Sequence, residues 1–116
     1  MNTISVQLAV AAGKGVAVTF DGQLAEDPTA DAYAGVTLEA GSAGDYVACV
    51  AQGEEIPCVA GGAIAVGAAI EFGTDGKMSS SSVTNGQIVC GTCVEAASGD
   101  GESFRARLAP FYTPSA

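Results

Sequence analysis

A chain of 116 residues with 16 glycines and no tryptophan has room for one compact domain, or two very small lobes sharing a core, built from slender side chains. Its 13 acidic and 4 basic residues give a net charge of -9, and Lys14, Lys77, Arg105 and Arg107 are too scattered to neutralise a phosphate backbone, which argues against nucleic acid as a direct ligand. With no histidine, a Ser/His/Asp or Cys/His nucleophile pair is impossible within the chain.

The chain opens with MNTISVQLAV, which lacks the basic stretch and long apolar run of a signal peptide, so folding in a cytoplasm is expected. Residues 4–10 and 15–20 read as the first strands. FDGQ at 20–23 ends the second of them, since Asp-Gly suits the positive φ of a tight turn. Residues 25–31 read as a surface loop, and residues 34–39 and 46–51 as a pair of strands around a Gly/Ser/Asp turn. Residues 56–60 and 69–72 are the next two strands. They lie in IPCVAGGAIAVGAAIEF, an apolar run that falls short of the ~20 residues needed to span a bilayer and is interrupted by Gly and Pro. No membrane span is expected.

After turn signals at TDGK (74–77), MSSSSVT (78–84) reads as a loop, and TNG (84–86) leads into strands at 87–96 and 103–109. Gly or Pro punctuates nearly every window of ten residues, which disfavours helix interiors. The fold expected is all-β: a small barrel or sandwich built from two related β-units, with extended terminal arms. Residues 1–9 are the N-terminal arm, 10–109 one domain and 110–116 a C-terminal tail.

The two units are an internal repeat, about 10–54 and 59–109. VAAG and VAGG each precede a strand and a Gly turn, and AGVTLEA (34–40) aligns with CGTCVEA (90–96). Continuing that alignment sets Tyr46, Ala48 and Val50 against Phe104, Ala106 and Leu108. On this register the first three face the core, while Val47 and Cys49 stand where Arg105 and Arg107 stand and face outward or toward a neighbour. A partner contact and packing against the chain's own arms are the two readings of that asymmetry.

Cys90 and Cys93 have CxxC spacing, but in a strand residues three apart point to opposite faces. Buried free thiols are expected for the four cysteines, with a Cys49–Cys58 disulfide or a zinc site as the alternatives. Asp21, Asp75 and Asp100 each precede a glycine and are read as turn residues rather than calcium ligands. No two carboxylates stand at a defined catalytic separation. The chain is expected to be no enzyme and to hold no cofactor or metal.

VAGGAIAVGAAIEFGTDGKM followed by CGTCVEAASGDGESFRARL, in a small acidic chain rich in Ala, Gly and Val, resembles the capsid cement or head decoration proteins of tailed bacteriophages. The resemblance implies a structural virion protein assembled in the host cytoplasm. It would bind the outer surface of an icosahedral head through the major capsid protein, commonly as a homotrimer, and reinforce capsomer junctions. A thin core fits a protein that draws part of its stability from neighbours. The contact residues expected are Ile4 and Val6 in the first arm, Val47 and Cys49 in the asymmetric strand, and Phe111 and Tyr112 in the tail, where Pro110 and Pro114 are expected to block regular structure. The alternative is a small β-sandwich ligand- or carbohydrate-binding module, which would need exposed aromatics in a cluster from only 4 Phe and 3 Tyr.

Overall fold

A computed structural model describes residues 3–83 and 86–113; the expected TNG turn at 84–86 lies partly outside them. Among the described residues, nine strands form two antiparallel sheets. The first contains β1 (Ile4–Gln7), β2 (Ala17–Thr19), β3 (Tyr33–Thr37) and β4 (Tyr46–Val50), in the order β1-β4-β3-β2. The second contains β5 (Gly53–Val59), β6 (Ala69–Phe72), β7 (Met78–Ser80), β8 (Ile88–Glu95) and β9 (Ser103–Tyr112), in the order β5-β9-β8-β6-β7. Each sheet curls until its last hairpin meets the segment after its first strand. Ala9 N–H donates to Gly22 O at 3.0 Å in one, and Gly61 N–H donates to Met78 O at 2.7 Å in the other. The fold is all-β, as the turn spacing and the scarcity of helical periodicity indicate.

Hydrogen bonds repeat between the halves. Gly15 N–H donates to Thr37 O at 2.9 Å, and Gly67 N–H to Cys93 O at 2.8 Å. Gly44 N–H donates to Leu8 O and Gly101 N–H to Ala60 O, both at 2.7 Å. The bridge Ala12–Gly41 is matched by Ile64–Ala97, and the pair Val6–Val47 by Cys58–Phe104. The alignment of 34–40 with 90–96 therefore holds.

Beyond it the expected register is off by one residue. The turn between Gly41 and Gly44 spans one residue fewer than the turn between Ala97 and Gly101, not two fewer, so Val47 matches Phe104 and Cys49 matches Ala106. Because side chains alternate along a strand, one residue of slip exchanges the two faces. Val47 and Cys49 are buried in the first sheet's interior, and Tyr46, expected inside, is 69% exposed. The residues opposite Arg105 and Arg107 are Ala48 and Val50.

Three segments differ from expectation in local structure. Residues 78–80 are not loop but β7, paired with β6 through Phe72–Met78, because Met78 fills the second interior. Residues 4–7 are not a free arm but β1, paired along its length with β4 of the same chain and burying Val6. In the tail, β9 runs through Pro110 to Tyr112. The β8–β9 register shifts there, from Gly91–Leu108 to Val89–Phe111, so the proline sits in a bulge where no ladder N–H is required. Residues 114–116, with Pro114, lie outside the described residues.

Each curled sheet encloses its own apolar interior. In the first half Val6, Leu8, Val18, Ala34, Val47 and Cys49 pack together. Their counterparts Cys58, Ala60, Ile70, Cys90, Phe104 and Ala106 line the second. The second interior is the larger because Tyr33, Val36 and Val50, on the outer face of the first sheet, join it. The Tyr33 ring stacks on Phe72 with centroids 5.3 Å apart. Val59 N–H donates to Gly15 O at 2.8 Å, and Ile88 N–H to Pro28 O at 2.8 Å, tying the halves together by backbone as well.

Candidate functional site

The groups with chemical potential are arranged for structure. Cys49, Cys58, Cys90 and Cys93 are all buried and unpaired, so the disulfide alternative is not realised. Burial pushes the Cys49 thiol up to about 11 and those of Cys58 and Cys90 to about 12, so none supplies thiolate near neutrality. Burial also raises the Tyr33 phenol well above its ordinary value. Among the described residues, no three His, Cys, Asp or Glu side chains converge to hold a metal ion.

The charges lie outside and pair across strands. On β9, Arg105 Nη2 lies 2.8 Å from Glu95 Oε2 on β8, and Nη1 lies 3.6 Å from Glu55 Oε1 on β5. Arg107 Nε lies 3.8 Å from Glu54 Oε1. The acids reach them because β5 carries a bulge between Gly53 and Ile56, with Glu55 at φ 55°. These pairs are solvent-exposed and contribute little each. Lys77 is paired with Asp100 at 3.1 Å.

Beside these charges the surface also exposes large apolar side chains. Of the expected contacts, Ile4 is exposed on edge strand β1, and Phe111 and Tyr112 are exposed on opposite faces at the end of β9. Ile4 belongs to the first sheet, and Phe111 and Tyr112 to the second. Val6, Val47 and Cys49 are buried, which removes them as contacts in the folded chain.

The reading of the sequence missed Phe20, Tyr46, Val66, Val83 and Val94, all exposed. Phe20 aligns with Phe72 of the second unit, which ends β6 and is fully buried, so no local pattern marks Phe20 as exposed. Beside Phe20 lies a shallow depression lined by Asp21, Gln23, Glu26 and Asp31. Asp31 Oδ2 accepts the N–H groups of Glu26 and Asp27 at 2.9 and 3.0 Å, which holds this loop in place.

Comparison with solved structures finds the base domain of a head fibre protein, "head fiber gp8.5 N base in bacteriophage phi29", with a TM-score of 0.70 and 18% sequence identity over 93% of both chains. At that identity the likeness establishes the fold. No curated protein matches the chain. The model of a phage cement protein family matches residues 2–108, which takes in both curled sheets. That match spans nearly the whole chain, so the protein is a structural protein of the virion, and the chain belongs to the phage cement protein family.

Proposed function

We propose that the protein binds the outer surface of an assembled icosahedral phage head, contacts the major capsid protein and reinforces the junctions between capsomers. It acts as a homotrimer and joins the head in the host cytoplasm. The observation that carries this reading is the pair Phe111 and Tyr112, two successive aromatics exposed at the end of a ten-residue strand, one on each face of it. Exposed aromatics on a rigid element bind at low entropic cost and are the commonest anchors of protein interfaces. Ile4 on the edge strand β1 is a second, smaller anchor. The net charge of -9 favours a shell surface whose exposed loops are basic.

The test is co-sedimentation with purified shells that lack the protein. The wild type is expected to saturate a fixed number of sites. The double variant Phe111→Ala/Tyr112→Ala is expected to lose about 2 kcal/mol or more of binding, the scale of an interface anchor, with an unchanged thermal midpoint. Undiminished binding by that variant removes the β9 end from the interface. Failure of the wild type to sediment with shells removes the function.

A further inference from the structure

The joint between the two halves is one-sided, and it leaves a matching pair of surfaces unused. From the first half it takes the Gly15 turn, Tyr33 and Val50; from the second it takes Phe72 and the β5 backbone around Cys58. A side chain at Gly15 would meet Pro57 O at 3.1 Å, so close is that approach. Three of these positions, Phe72, Val50 and Gly15, have exposed counterparts in the other half, while the counterpart of Tyr33, Val89, is buried. Phe72 is 0% exposed beneath Tyr33, whereas its counterpart Phe20 is 67% exposed. Val50 is sealed in the joint, whereas its counterpart Arg107 is in solvent. Gly67, the counterpart of Gly15, has open space around its Cα. Next to it Val66 is 65% exposed, and Val94, the counterpart of the partly buried Leu38, is 41% exposed.

We propose that the protein self-associates head to tail: the Phe20 face of one molecule receives the Val66–Val94 face of a second, repeating between chains the contact that joins the halves within one. This deepens the self-association in the proposed function and rests on that part of it. The occupant is a second copy because the chain already docks the related faces of its two halves, the Gly15 turn on one and Phe72 on the other. Charge agrees. The depression at Phe20 is acidic through Asp21, Glu26 and Asp31, and the opposing face carries Arg107, held only by a long, exposed contact to Glu54. Such a contact is heterologous, so each molecule uses two different surfaces, and either can be blocked without the other.

The experiment is light scattering on the full chain without shells. The wild type is expected to run above monomer mass. Phe20→Asp and Val66→Asp are each expected to run as monomers with the far-ultraviolet circular dichroism of the wild type, since neither side chain is in an interior. Mixed in equal amounts, the two variants are expected to recover a dimer and nothing larger. One keeps an intact Val66–Val94 face and the other an intact Phe20 face. Phe111→Ala/Tyr112→Ala, which tests shell binding, is expected to leave the mass unchanged, so the two readings fail separately. A monomeric wild type, a variant that keeps the wild-type mass, or a mixture that stays monomeric overturns the proposal.

Discussion

At the scale of single residues, the tightest constraint is where backbones touch. A Cβ on Gly91 would sit 2.0 Å from Arg107 O, and one on Gly35 would sit 2.8 Å from Val50 O. These are equivalent positions in the two halves. Gly91→Ala must push β8 from β9 and is expected to cost about 3 kcal/mol or more, read as a lower urea midpoint. The buried thiols make a second prediction. Native protein is expected to take up no alkylating reagent, and unfolded protein four equivalents, measured by mass.

Their raised values also set a pH limit. Folded thiols near 11 to 12 against about 8.5 in the unfolded chain hold their full stabilising effect below pH ~8.5 and lose it as pH climbs toward 12. The urea midpoint is expected to fall across that window, and less steeply in Cys90→Ala. Tyr33 buries its hydroxyl with no nitrogen or oxygen partner and only the weakly bonding Cys90 thiol beside it, so Tyr33→Phe keeps the stack on Phe72 and is expected to be neutral or stabilising by up to about 1 kcal/mol. The chemistry of these residues was legible in the sequence as small buried cysteines. The buried hydroxyl was not, because no local pattern says what lies above a ring.

At the scale of elements, two turns explain both the success of the repeat and the error in its register. In the first half Ser42 N–H donates to the Asp45 carboxylate at 2.8 Å. In the second, Ser98 N–H and Oγ donate to the Glu102 carboxylate at 2.9 and 2.6 Å. The longer turn uses the longer acid. Those bonds hold the Glu102 carboxyl below the usual carboxylate range, as Thr29 does for Asp27. A depressed folded value contributes stability above the unfolded value of about 4 and loses it as pH falls through the folded one. The thermal midpoint is expected to drop on acidification below pH ~4, and to drop less in Asp27→Asn/Glu102→Gln. All eight strands expected from the sequence are present, since Val, Ile and Thr runs between Gly turns are a local signal. β7 was missed because MSS has no strand composition; its pairing with β6 and the burial of Met78 create it.

At the scale of the whole molecule, the larger apolar cluster spans both halves, so the halves are expected to unfold together. Phe72→Ala removes a fully buried ring from the second interior and from the stack at the joint. It is expected to cost about 3–5 kcal/mol in one transition that fluorescence and circular dichroism report alike. Two separate transitions would show that the halves are independent domains. By itself the sequence determined the all-β class, the doubling of the unit, the absence of histidine chemistry and the resemblance to cement proteins, because turn residues, alternation and composition are local properties of a chain. Only the tertiary structure decided which face of β4 is inside, that Pro110 falls in a bulge, and that Phe72 is covered while Phe20 is bare. A one-residue difference in turn length inverts a strand, and burial depends on what the rest of the chain lays on top.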